Sequence, residues 1–87
     1  MITKIDHIGI AVSDLNKAKE FYENVLGIEV TATEEVEEQQ VITAFLPVGN
    51  SKIELLASTS PDGPIARFIE KRGQGIQHIA LRVDDIN

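Results

Sequence analysis

The sequence predicts an α+β fold: one complete βαβββ module, a connecting helix, and the first strand of a second module left incomplete within 87 residues. Three observations lead there. The stretch His7-Ile8-Gly9-Ile10-Ala11-Val12-Ser13-Asp14-Leu15-Asn16 recurs at an offset of 71 as His78-Ile79-Ala80-Leu81-Arg82-Val83-Asp84-Asp85-Ile86-Asn87, keeping His, Ile, Val, Asp and Asn and exchanging Ile for Leu at two places, and a repeated unit fixes architecture before any single residue is interpreted. Each copy alternates, so His7, Gly9 and Ala11 share one strand face while Ile8, Ile10 and Val12 share the other. Between the copies, a helical stripe is followed by three β-rich runs. The chain divides into a first module over 1–59, a connecting helix within 60–75 and the opening strand of the second module over 76–87, all within one structural domain.

After the first strand, Ser13 or Asp14 can cap a helix. Leu15, Ala18, Phe21, Tyr22, Val25 and Leu26 recur at three- and four-residue spacing until Gly27. This stripe is expected to pack on Ile8, Ile10 and Val12 as the main core, with Phe21 inside. Ile28 to Thr33 reads as a short strand and Glu34-Glu35-Val36-Glu37-Glu38 as a solvated acidic loop. Gln39 to Val48 forms the next strand, with Val41, Thr43 and Phe45 on one face and Ile42, Ala44 and Leu46 on the other. Gly49-Asn50-Ser51 turns the chain into Lys52 to Ser58, a hairpin in which Lys52, Glu54 and Leu56 share a face. Pro61-Asp62-Gly63-Pro64 breaks the chain. Ile65, Phe68 and Ile69 then give a short helix ending near Gly73, and the second histidine strand follows over 76–83.

Composition narrows function. A net charge of −6, from 14 acidic and 8 basic residues, argues against nucleic acid, whose phosphates call for a basic face. Neither a leader nor an apolar run of about 20 residues that could span a membrane is visible, so a cytoplasmic location is the expectation. Cysteine is absent, which leaves imidazole and carboxylate as the ligands for any metal. His7, Glu54 and His78 each lie on the strand face that does not carry most of the aliphatic residues, and such ligands suit a divalent first-row ion. A strand histidine taken alone is more often a hydrogen-bonded structural residue. Its recurrence at one register of both copies is what points to a ligand.

The runs Ile5-Asp6-His7-Ile8-Gly9-Ile10-Ala11-Val12, Lys52-Ile53-Glu54-Leu55-Leu56 and His78-Ile79-Ala80-Leu81-Arg82-Val83-Asp84-Asp85-Ile86 resemble the methylmalonyl-CoA epimerases of the vicinal oxygen chelate superfamily, which also contains glyoxalase I. The resemblance covers essentially the whole chain. It implies a glyoxalase-type pair of βαβββ modules whose curved sheets enclose a divalent ion of the Co, Mn, Zn or Ni class, with His7, Glu54 and His78 as ligands and a fourth, glutamate ligand beyond Asn87. It implies an isomerase moving a proton at the carbon between thioester and carboxylate of an acyl-CoA, methylmalonyl-CoA. Gln77 stands where relatives often carry histidine, and Gln40 where they often carry glycine; neither is a family metal ligand. No catalytic base is assigned: one proposed base lies on the last strand of the second module, and the central strand offers Gln40, Ile42 and Thr43 where the other was sought. A glyoxalase I-like lyase and a non-catalytic, self-associating half-module are the alternatives. An unfinished sheet also leads us to expect a homodimer or higher homo-oligomer.

Overall fold

The computed structural model describes residues 1–84; the final residues of the repeat, 85–87, lie outside the described part. Strand β1 (Ile2–Ala11) leads into helix α1 (Leu15–Asn24), then β2 (Ala32–Val36), a 3-10 turn (Glu37–Gln39), β3 (Val41–Val48), β4 (Ser51–Ser58), helix α2 (Pro64–Arg72) and β5 (Gly75–Val83). The five strands form one sheet in the order β2-β3-β4-β1-β5. β2, β3 and β4 are an antiparallel meander. β1 runs parallel to β4 and antiparallel to β5, so the two copies of the repeat lie side by side.

The α1 side of the sheet carries the larger core. Val12, Ala44, Leu46, Leu55 and Ala57 are buried there, with Ile10, Leu15, Ala18 and Tyr22 packed against them. Asp14 caps α1, its carboxylate accepting from the Lys17 N–H at 3.1 Å, which satisfies one of the free N–H groups of the first turn. The expected stripe is therefore real but rotated. Phe21 is 50 % exposed and Val25 and Leu26 are exposed beside it; Tyr22 takes the inward position instead. The helix is short, ending at Asn24, and a face set by Leu15, Ala18 and Tyr22 leaves no room inward for a residue one step of about 100° away.

A second core lies on the opposite face, where Ile65 of α2 closes over Ala11, Val41 and Leu56. Alternation explains the split: Ile53, Leu55 and Ala57 of β4 face α1 while Leu56 faces α2. α2 covers one end of this second face. The other end holds the histidines.

The largest departure from the sequence expectations is at β2. The short strand is Ala32–Val36 rather than 28–33, because Ile28 and Val30 are drawn into the α1 core. Glu34 and Glu35, expected in a loop, pair with Thr43 and Ile42 as part of β2. β2 is an edge, and a row of exposed carboxylates on an edge strand discourages further pairing. At the opposite edge Ile76, Ile79, Leu81 and Val83 of β5 are exposed, as are Ile2 and Ile5 of β1.

These burials predict a clear contrast in chemical denaturation. Leu55, fully buried, should lose about 2–5 kcal/mol on replacement by Ala. Phe21→Ala should lose less than about 1 kcal/mol, as surface changes do. Equal losses would mean that Phe21 is a core residue after all.

Candidate metal and substrate site

The site is built around a missing side chain. Gly9 on β1 is paired with Glu54 on one side and with His78 on the other. A β carbon placed on Gly9 would lie 2.2 Å from Cε1 and 2.6 Å from Nδ1 of the His78 ring. The imidazole therefore occupies the space that any larger residue would fill. Two residues back, His7 shares this face and pairs with Ala80, the repeat mate of Gly9. A histidine opposite a small residue, repeated with the strands exchanged, brings the two rings together diagonally. They meet edge to face, with centroids 5.1 Å apart and planes at 86°.

Their Nε2 atoms are 3.0 Å apart. Each Nδ1 is already engaged: that of His7 lies 2.9 Å from Oδ2 of Asp6 and that of His78 lies 2.5 Å from Oε1 of Gln77. A carboxylate can only accept, so His7 donates from Nδ1 and, when neutral, presents a lone pair at Nε2. If Gln77 Oε1 likewise accepts from His78, two lone pairs face each other, an arrangement that calls for a cation between them. A proton can serve. So can a divalent metal in an octahedral shell: two adjacent ligands about 2.1 Å from one ion are about 3.0 Å apart, against about 3.4 Å at a tetrahedral angle.

Asp6 and Gln77 reach their histidines because β1 and β5 are bulged at these points. Ile5 pairs with Leu81 and His7 with Ala80, leaving Asp6 as an extra residue; Gly9 pairs with His78 and Ile10 with Ile76, leaving Gln77 extra. A bulge re-aims the side chain it carries. Asp6 is further held by Arg82, whose Nη2 donates to Oδ1 at 2.7 Å. The hydrogen bond from His7 and that from Arg82 lower the Asp6 carboxyl from its ordinary 3.8 to about 2.

Glu54 points to the same face. Its Oε2 is 3.5 Å from Nδ1 of His7 and 3.9 Å from Nζ of Lys52. The three residues singled out in the sequence thus come together, though not as a finished chelate. Among the described residues no three His, Asp or Glu side chains converge as a ready-made metal cage. The preformed part is the imidazole pair; Glu54 addresses the far nitrogen of His7.

Beside the pair opens a cavity of about 480 Å³ lined by polar Glu54, Gln77 and His78 and by apolar Val41, Leu56 and Ile65. Thr43, buried, contributes a hydroxyl, and Glu38 brings a carboxylate from the 3-10 turn. Glu38 is the residue the sequence reading missed. It sits in what looked like a solvated acidic run, and the turn of Glu37–Gln39 brings it to the cavity lining. The available signal was its place just ahead of a strand whose Val41 and Thr43 face the histidine side.

The family model described as the Glyoxalase/Bleomycin resistance protein/Dioxygenase superfamily matches residues 6–87. An uncharacterised protein of Bacillus subtilis is 48% identical over 92% of this chain and 57% of its own length. The mitochondrial methylmalonyl-CoA epimerase of Homo sapiens is 42% identical over 97% of this chain and 48% of its own. A solved methylmalonyl-CoA epimerase in complex with methylmalonyl-CoA and NH4+ superposes with a TM-score of 0.89 at 40% identity, over 99% of this chain and 64% of that one. The chain spans about half the length of the curated relatives it matches.

Gly9→Ala tests the geometry directly. The added methyl should displace the His78 ring, abolishing nuclear Overhauser contacts between the His7 and His78 imidazoles while the far-ultraviolet circular dichroism stays that of the parent. Persistence of those contacts would show that the ring does not need the space above Gly9.

Proposed function

Because the chain belongs to the Glyoxalase/Bleomycin resistance protein/Dioxygenase superfamily, we propose that it furnishes one wall and part of the metal site of a methylmalonyl-CoA epimerase. The observation carrying this reading is the pair of Nε2 atoms 3.0 Å apart at the edge of a cavity that also holds Glu38 and Glu54. The substrate class comes from the relatives, several of which are named as methylmalonyl-CoA epimerases.

In this reading His7 and His78 are the imidazole ligands of a divalent ion and Glu54 the carboxylate ligand. Such an ion, when bound, supplies Lewis-acid stabilisation of negative charge at a thioester oxygen. The chain's own residues do the rest. Val41, Leu56 and Ile65 wall the cavity with apolar surface, which limits water at the reacting carbon. Glu38 is the general base: its carboxylate takes the proton from the carbon between thioester and carboxylate, the C–H electron pair passes into the enolate, and a second acid–base group, which the resemblance puts on the last strand of the second module, returns a proton to the opposite face to give the other epimer.

The test is proton exchange into methylmalonyl-CoA in D2O, followed by nuclear magnetic resonance on the intact protein. Glu38→Gln should slow exchange by about 100-fold or more, and a chelator should abolish it until Co2+ is restored. Exchange undiminished in Glu38→Gln would remove that residue as base, and exchange indifferent to chelator would remove the metal.

Self-association belongs to the same reading. Ile76, Ile79 and Leu81 on the edge strand, each at least half exposed, form apolar surface of the kind a second copy covers. Sedimentation equilibrium at micromolar concentration should show a dimer or larger species; a monomer would dispose of this part.

A further inference from the structure

Each histidine of the repeat is preceded by a bulged residue that the ligand scheme leaves unused. Asp6 and Gln77 are themselves repeat mates, at the same offset of 71 as His7 and His78. Both turn a side-chain oxygen onto the Nδ1 of the following ring, at 2.9 and 2.5 Å. We propose that Asp6 and Gln77 are matched positioning residues, each fixing one ring with its Nε2 facing the shared cation position, and that Arg82 locks Asp6 in place from the other copy of the repeat. The proposal rests on the reading of His7 and His78 as ligands.

The match is one of place and not of chemistry. A carboxylate accepting from Nδ1–H fixes the tautomer and raises the basicity of the opposite nitrogen. An amide oxygen fixes the ring with weaker polarisation, since a charged acceptor forms the stronger hydrogen bond. His7 is therefore the stronger donor of the pair and His78 the weaker. The connection also runs across the repeat. Arg82 sits on β5 four residues beyond His78, opposite Lys4, and its guanidinium serves Asp6 on β1 at 2.7 Å. Neither strand alone holds the complete arrangement: Asp6 needs Arg82 to fix it, and His78 needs the empty place over Gly9 to lie in.

The experiment has two readouts on one set of proteins: the parent, Asp6→Ala, Asp6→Asn, Gln77→Ala, Gln77→Glu and Arg82→Gln. Long-range proton–nitrogen correlation on the metal-free, 15N-labelled protein reports the His7 tautomer, and calorimetric titration with Co2+ reports affinity. The parent should show His7 protonated at Nδ1. Asp6→Ala should shift it toward Nε2–H. Affinity for Co2+ should fall about 10–100-fold in Asp6→Ala and Gln77→Ala, less in Asp6→Asn and Arg82→Gln, and should be retained or strengthened in Gln77→Glu. The His7 tautomer unchanged in Asp6→Ala, together with Co2+ affinity within about twofold of the parent, overturns the proposal. If the parent takes up no Co2+, the reading of His7 and His78 as ligands falls, and the tautomer comparison alone then upholds or overturns the role of Asp6.

Discussion

The arrangement depends on one steric fact, that β1 carries no side chain at Gly9. In a parallel pair with β4 and an antiparallel pair with β5, the residue at this point has Glu54 on one flank and His78 on the other. Three side chains on adjacent strands of one sheet face would ordinarily stand side by side, roughly perpendicular to the sheet. With the middle one deleted, the His78 ring can lean across β1 and meet His7 two residues away. The equivalent place in the other copy is Ala80, small but not empty. This small difference breaks the symmetry of the repeat: His78 leans over β1, and His7 is met by it.

How much of this was legible follows from which physical rules act locally. The two-residue period of a strand and the repeat together placed His7, Glu54 and His78 on one face, and the structure brings them together. The same alternation put Lys52, Glu54 and Leu56 on one face, but only the core under α1 was expected; the second, where Ile65 packs with Leu56, needs α2 folded back over the other face. The helix stripe was misjudged at Phe21 because periodicity defines a face only to within about one residue's rotation, and packing against the core that includes Leu46 and Leu55 selects Tyr22. The bulges at Asp6 and Gln77 left no trace in the sequence as read. Each depends on pairing with the other strand, and a break in register is a property of two strands together.

Charge hides placement in the same way. Glu34, Glu35, Glu37 and Glu38 look alike in sequence, yet the fold gives them different surroundings. Glu34 and Glu35 stand on an exposed edge strand, whereas Glu38 reaches the cavity. What separates them is the turn at Glu37–Gln39, which ends in Gln40 with φ +55°, the one non-glycine residue with positive φ among those described.

That conformation costs an L-residue about 1–2 kcal/mol, and the turn retains it for visible reasons. The Gln40 N–H donates to the Glu37 carbonyl at 3.0 Å, and the Gln40 carbonyl accepts from the Thr59 N–H at 3.0 Å. The same carbonyl lies where a β carbon on Gly63 would come within 3.1 Å of it. The backbone is thus pinned between β3 and the loop ahead of α2, with Gln40 in the left-handed region as the chain enters β3. A glycine would meet that demand without strain. With glutamine the strain is held in the segment that carries Glu38, where a residue in an unfavoured backbone region persists only because its surroundings over-determine it. The place of Glu38 on the cavity lining is therefore set by packing on both sides of the turn, and is as much a product of the α2 loop as of the strand it precedes.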